Sequence, residues 1–352
     1  MRAHLEYAHT LDPVAWSARH AAGLVPDRLP YGLDRLESHG FEVEARQPAG
    51  GVVGLFDGAA RRMTGGFEFV EAMRAPARRR CDIALCWDER TGVPAALRSR
   101  LPGEPEAVLG VNWLTDSDAP IGRRGRMLAR QALGRAAGVW AMSPPQLGVL
   151  ERDWGIDRRR LHLLHLGIDV EFWHETSGRP HSELVVGAGN DRHRDHKLLV
   201  EAIGRLRRRR PRVHLELVTQ HRVDVPKELG RRHAHLSHSG MRDLYSRASV
   251  VALAVKPNSH LSGLSVLLES MACSRPVAVT ESPGLSEYAR DGETALFVPP
   301  NDANAFADAV DRLLSDRAQA AALGASGRQA TERFSTQAQA QHIASIVRGA
   351  FA

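Results

Sequence analysis

Cysteine is nearly missing from this chain. Its 352 residues include three, Cys81, Cys86 and Cys273. That argues against a disulfide framework and for a reducing compartment, and no cysteine–histidine spacing matches a zinc site. Aromatic residues make up 5% of the chain. They do not interleave with basic residues, and no nucleic-acid module is recognisable, so nucleic acid is not an expected partner. Lysine is confined to Lys197, Lys227 and Lys256, so arginine carries most of the positive charge. Long apolar runs are also lacking: Val250 to Val255 is among the longest and is far too short to span a bilayer. Met1 to His9 holds charges where a secretory signal needs an apolar core. A cytoplasmic enzyme is the expectation. The formal net charge of +6 and the basic isoelectric point fit a solvated arginine-rich surface or attraction to anionic substrates. Peripheral contact with an acidic membrane surface stays open.

What is present suits a globular chain of ordinary polarity, with 43% hydrophobic and 25% charged residues. The length favours two domains, each able to bury a core. Short apolar strands alternate with helical stretches. Strands are expected at 4–8, 41–45, 82–87, 107–111, 138–142 and 161–166, with helices at 33–39 and 127–137. The polar run Asp88-Glu89-Arg90-Thr91-Gly92 reads as a turn. Trp173 to His181, with Gly178 and Pro180, lacks periodicity and reads as a linker. A second series follows: strands at 184–187, 214–219, 234–236 and 250–254, and helices at 197–209, 241–247, 303–314 and 337–351. The fold class is therefore α/β, two facing Rossmann-like domains over 1–173 and 182–334, with a pocket at the C-terminal ends of the strands.

The most informative stretch runs from Ser262 to Thr280. A Ser-Gly turn opens an apolar helix holding one carboxylate, Glu269, and Pro276 leads into the strand Val277 to Thr280. Such a turn aims several backbone N–H groups and a positive helix end at one place, which suits a phosphate. Glu269 lies about two turns into that helix and can accept bonds from sugar hydroxyls. Together they point to a nucleotide diphosphate. Gly187-Ala188-Gly189 lacks the third glycine of a dinucleotide fingerprint. As a turn followed by cationic side chains it fits a pyrophosphate better. Asp116-Ser117-Asp118 resembles a metal-binding pair, and the histidines at 162, 165, 193, 196, 233, 235 and 238 form no consistent ligand set. Neither is assigned a metal, and no cofactor is expected.

The run 262–280, then Gly284-Leu285-Ser286-Glu287-Tyr288 and Leu296-Phe297-Val298-Pro299-Pro300-Asn301-Asp302, closely resembles the family 4 glycosyltransferases. So do Trp140-Ala141-Met142-Ser143 and Leu166-Gly167-Ile168-Asp169. The resemblance covers most of residues 138–315. It implies a GT-B fold whose last segment, 335–352, packs back on the N-terminal domain. It also implies retaining, metal-independent transfer of a sugar from a UDP- or GDP-sugar to an acceptor hydroxyl, on a cell-envelope glycan or lipid or a natural product. Arg194 and Lys197 are the expected phosphate ligands, with Arg192 in reserve. Gly189, Lys256, His260, Ser262, Gly263, Leu264, Ser265 and Glu269 complete the donor side, and Glu287 recurs in the family. The first of the family's two glutamates, separated from the second by seven residues, falls on Leu261. That loss keeps a second reading open, a catalytically silent nucleotide-sugar-binding protein. In the N-terminal half Glu89 is the expected catalytic carboxylate. Asp12, Arg19, Asp27, Arg28 and Tyr31 line the acceptor side, and the family's histidine falls on Asn112 or Trp113.

Overall fold

The structure, a computed structural model, describes residues 1–45, 47, 58, 60–70, 80–176 and 182–351. The chain divides into two compact units. One comprises Met1–Ala22, Asp27–His165 and Thr336–Ala352, the other Gly23–Pro26 and Leu166–Ser335. The division falls ahead of the expected linker, of which 177–181 lie outside the described residues. Leu166 joins the second unit because its N–H donates to the Tyr288 hydroxyl at 3.2 Å, and Ile168 bridges Ser335.

The first unit is built on β1 (Arg2–Glu6), β2 (Glu42–Ala45), β3 (Ile83–Cys86), β4 (Glu106–Gly110), β5 (Gly138–Ala141) and β6 (Leu161–Leu163). Their order is β2-β1-β3-β4-β5-β6, and every pairing is parallel. A parallel sheet is covered on both faces, so its strands must be apolar throughout. β3 and β5 are accordingly buried at every residue. The covering helices are α1 (Pro13–Ala21), α2 (Glu89–Arg98), α3 (Arg123–Leu133) and α4 (Pro144–Arg152). The closing helix Thr336–Ala350 lies against the 3-10 segment Pro30–His39, where Gln339 Nε2 donates to the Tyr31 carbonyl at 2.8 Å.

The polar run 88–92 is not a turn. Asp88 caps α2 by accepting from the Arg90 N–H, and the helix continues through Pro94. A proline there removes the bond to the carbonyl four residues back. That carbonyl, on Arg90, accepts instead from the Glu68 N–H at 2.9 Å, so the helix survives. α1 and α4 also escape periodicity. Each is nine residues long and is started by a capping side chain plus proline, Asp12 with Pro13 and Ser143 with Pro144.

The second unit repeats the architecture with β7 (Leu184–Ala188), β8 (His214–Val218), β9 (Gly230–His233), β10 (Val250–Leu253), β11 (Val277–Thr280) and β12 (Leu296–Val298). Their order is β12-β11-β10-β7-β8-β9, again wholly parallel. Its helices are α5 (His196–Arg207), α6 (His238–Arg247), α7 (Leu264–Ala272), α8 (Ala303–Ser315) and α9 (Arg317–Thr331). The strand expected at 234–236 lies at 230–233, where a Cβ on Gly230 would meet the Leu215 carbonyl oxygen at 1.9 Å. α9, like β12, has no counterpart in the sequence reading. It buries only small or isolated residues, Leu323, Gly324, Gly327 and Thr331, so it shows little amphipathic stripe. In each sheet the chain runs outward in opposite directions from two neighbouring strands, β1 and β3 or β7 and β10. The loops leaving those pairs diverge, which opens a crevice at their C-terminal ends.

Glu89 is corrected by this architecture. It is 2% exposed, and its two oxygens accept from the N–H groups of Asn112, Trp113 and Leu114 at 2.8, 2.7 and 3.1 Å. Its carboxylate pins the loop after β4 and is not offered to an acceptor. Burial and the adjacent Asp88 charge push it up to about 7, against those hydrogen bonds. Glu89→Gln replaces one acceptor oxygen with a donor and leaves a buried N–H unmatched. A loss of about 1–3 kcal/mol is expected from urea unfolding; an unchanged midpoint would mean the loop does not depend on this carboxylate.

Candidate functional site

In the second unit the crevice begins where β7 ends, at Gly189, whose φ of +131° favours glycine. The loop that follows is tied to the exit of β10. The Asp195 N–H donates to the Ala254 carbonyl at 2.9 Å and the Lys256 N–H to the His193 carbonyl at 2.7 Å, and Arg194 forms a single antiparallel bridge with Val255. Asp195 also caps α5 by accepting from the Leu198 N–H. His196, the first residue of α5, is buried with its Nε2 2.9 Å from the Gly189 carbonyl. Burial lowers its pKa to about 4, so the ring is neutral at pH 7 and donates that hydrogen bond.

Arg194 is the centre of this arrangement. Its side chain turns inward and is packed on two glycines. A Cβ on Gly189 would lie 2.3 Å from Nε, and one on Gly263 would lie 2.4 Å from Nη1. The residue is 7% exposed, yet among the described residues Nε and Nη1 have no hydrogen-bond partner. Burial pulls its pKa down from the ordinary arginine value, while Asp191, Tyr245 and Glu269 oppose that shift. Gly263, at φ +102°, is the residue from which α7 starts, and among the described residues no side chain caps that helix. A buried cation and an uncapped helix start thus converge on one place. Each alone favours an anion, and leaving such donors unmatched costs more than matching them. A narrow crevice beside the helix start is lined by Val255, Ser262, Gly263, Leu264, Thr280 and Ser282. A roomier hollow between 288–294 and α9 contains neither Arg194 nor Glu269.

Glu269 sits nearly two turns further along α7. Its Oε2 accepts from the Tyr245 hydroxyl of α6 at 3.1 Å. Burial pushes its carboxyl up to about 8, against the pull of that hydrogen bond and the Arg194 charge. On the opposite flank Asp191 contacts His260 Nε2 at 3.2 Å and His193 Nδ1 at 3.4 Å. Burial raises the Asp191 pKa, but the His260 contact outweighs it and holds this carboxylate well below the usual range.

Of the expected donor-side residues, Gly189, Arg194, Gly263 and Glu269 come together, with Ser262 and Leu264 beside them. Lys197 is exposed on the first turn of α5, and no hydrogen bond or ion pair of the described residues ties it to the loop. The expected pair of cations is therefore one buried arginine, because the bridge to Val255 turns residue 194 inward while 197 follows on the outer side of α5. Lys256 is exposed too, and only its backbone takes part. Arg192 is partly buried on the same loop, Ser265 is exposed, and Leu261 is buried at φ +55°. Glu287 has its carbonyl held by Arg333 Nη2.

The acceptor-side residues of the first unit take other parts. Asp12 caps α1, Arg28 pairs with Glu37 at 2.7 Å, and Asp27 pairs with Arg35 at 2.6 Å. Arg19 lies over the Trp16 ring. Tyr31 stacks on Trp87 with centroids 4.1 Å apart, and Trp113 lies under Arg90. The Asn112 carbonyl accepts from Gln146 Nε2. Sequence reasoning missed a pair next to the crevice of this sheet. His9 Nδ1 is 2.7 Å from an oxygen of the buried Glu68, and the His9 N–H donates to the other at 2.8 Å. It missed Tyr245 and His196 as well. None of these carries a motif; His9 and Tyr245 are defined by partners distant in the chain, and His196 by the Gly189 carbonyl across the turn that follows β7.

The raised carboxyl of Glu269 gives a signed pH prediction. Between the unfolded value of about 4.3 and the folded value of about 8, the folded chain holds the extra proton. Its contribution to stability therefore falls as pH rises through that window. Glu269→Gln should flatten this part of the profile relative to wild type, read as urea midpoints from about pH 5 to 8. Parallel profiles would remove the assignment.

A family model described as Glycosyl transferases group 1 matches residues 182–316, most of the second unit. D-inositol 3-phosphate glycosyltransferase of Paenarthrobacter aurescens is 27% identical over 225 residues, covering 58% of this chain and 55% of that protein. The chain spans about half the length of the curated relatives it aligns with first. Among solved structures, sucrose-phosphate synthase from Thermosynechococcus elongatus has a TM-score of 0.74 at 20% identity, covering 100% of this chain and 99% of that one. HepE of Anabaena in complex with UDP-glucose has a TM-score of 0.69 at 16% identity, with 99% of both chains covered. At such identities the structural likeness speaks for the fold, and it agrees with the two parallel six-stranded sheets. The match to the group 1 glycosyl transferases is thus carried by residues 182–316 of the second unit, and the fold of the chain, two Rossmann-like units, is that of these solved structures.

Proposed function

We propose that this chain transfers a sugar from a nucleotide diphosphate sugar to an acceptor hydroxyl. The observation that carries the reading is the Arg194 guanidinium, buried with Nε and Nη1 unmatched on Gly189 and Gly263 at the uncapped start of α7. In this reading Arg194 and the backbone N–H groups of 262–265 hold the diphosphate. They stabilise the charge that grows on it as the bond to the sugar breaks. Glu269, steadied by Tyr245, accepts hydrogen bonds from the ribose hydroxyls. Relatives named as glycosyltransferases and a fold neighbour solved with UDP-glucose support a UDP- or GDP-sugar donor.

The finer chemistry follows the family. The acceptor hydroxyl attacks from the face that the diphosphate leaves, which retains the anomeric configuration, and the departing phosphate takes the proton. No enzymic nucleophile is needed. A guanidinium and a helix start supply positive charge to the leaving group without a metal. The acceptor class is a glycan or lipid of the cell envelope or a natural product. His9 and Glu68, at the C-terminal edge of the first sheet, are the polar pair on that side best placed to meet it. Leu261 stands where the family carries a carboxylate, which favours a silent binding protein as the second reading. Donor hydrolysis or transfer by the purified chain separates the two.

The test is thermal stabilisation across nucleoside diphosphates and their sugar conjugates. Ligand at about 100 times its Kd stabilises by about 2.7 kcal/mol. UDP or GDP should raise the melting temperature of wild type, and Arg194→Ala should remove that shift while melting as one cooperative unit. No shift with any nucleotide would sink the reading. Ribose hydroxyls donating to Glu269 favour its charged form, so nucleotide affinity should rise from about pH 6 to 8. Glu269→Gln should lose that slope.

A further inference from the structure

The basic excess of this chain is concentrated in one stretch. Between 123 and 160 nine arginines face three acids, a surplus of six, equal to the formal net charge of the whole chain. Taking them from the totals of 47 and 41 leaves 38 basic and 38 acidic residues elsewhere. The stretch is also one surface. α3 buries Gly125, Ala129, Ala132 and Leu133 and turns Arg123, Arg124, Arg126 and Arg130 outward. Arg130 Nη2 donates to the Asp153 carbonyl at 2.7 Å, and Arg126 lies over the Trp154 ring at 5.2 Å. Arg160 Nη1 donates to the Gly134 carbonyl at 2.9 Å. These contacts lay the segment 152–160, with its own arginines, alongside α3. Among the described residues no ion pair neutralises Arg123, Arg124 or Arg126.

We propose that this face of the first unit docks on a bilayer surface rich in anionic phospholipid. Charge complementarity selects an anionic partner. Two further features select lipid over nucleic acid. Met127, 57% exposed, stands among the arginines, where an apolar tip can enter the headgroup boundary. The aromatic ring of the patch, Trp154, is 3% exposed and cannot stack on bases. The surface shares no residue with the crevice of the second unit, so docking and nucleotide binding can be read independently. A lipid-borne acceptor would then be met at the surface where the chain rests.

The experiment is co-sedimentation of the full chain with vesicles of phosphatidylcholine alone or with about one third phosphatidylglycerol. The chain should pellet with the anionic vesicles only and be released by salt. Arg123→Ala, Arg124→Ala and Arg126→Ala combined should weaken that binding about a hundredfold, from roughly fivefold per arginine. The combined variant should keep the wild-type melting temperature and its shift with nucleotide. Equal binding to both vesicles, binding to neither, or a combined variant that pellets like wild type would overturn the proposal. So would capture of single- or double-stranded nucleic acid with the vesicles left unbound.

Discussion

A guanidinium pressed against the backbone of two glycines constrains everything around it. Arg194 reaches that position because residues 193–195 are bonded to the exit of β10 and because Gly189 and Gly263 have no Cβ to block it. Both glycines lie at positive φ, so a side chain at either would meet strain as well as the guanidinium. The cation has charged or ionisable groups near it in Asp191, Tyr245 and Glu269, and none of them satisfies its Nε or Nη1. Under the proposed function its burial is preparation for an anion rather than a stabilising ion pair.

The placement of that cation follows from topology. In a doubly wound parallel sheet the two central loops part company, and here they are the loops leaving β7 and β10. One supplies Gly189 and Arg194, the other leads to Gly263 and the start of α7. The first sheet has the same feature at β1 and β3. There the polar groups have more local work: Glu89 holds three N–H groups of a loop, and Asp88 caps α2 and pairs with Arg90 at 2.6 Å. A buried carboxylate with its oxygens matched in this way is a structural element, however suggestive its position at the end of a strand.

The helix start at Gly263, Glu269 within an apolar run and the strand Val277–Thr280 were all legible, because a turn, a helix and a strand leave local composition signals. The misses share a cause. Lys197 and Arg194 are three residues apart and chemically alike, yet only one is turned inward, and that depends on a bridge to Val255. Glu89 looked like a cleft carboxylate because the loop it binds lies more than twenty residues away. α2 was hidden behind Pro94, whose cost is relieved by the Glu68 N–H donating to the Arg90 carbonyl. β12 and α9 were too short or too evenly small for a periodic signal.

By itself the sequence determined the α/β class, the turn that opens α7 and the likeness of the second unit to the group 1 glycosyl transferases, since these rest on residue order within short windows. The tertiary structure decided which charges are buried and which carboxylates are already matched. Burial and hydrogen bonding are settled by chains of contact between residues far apart in sequence, and those alone separate Arg194 from Lys197 and Glu269 from Glu89.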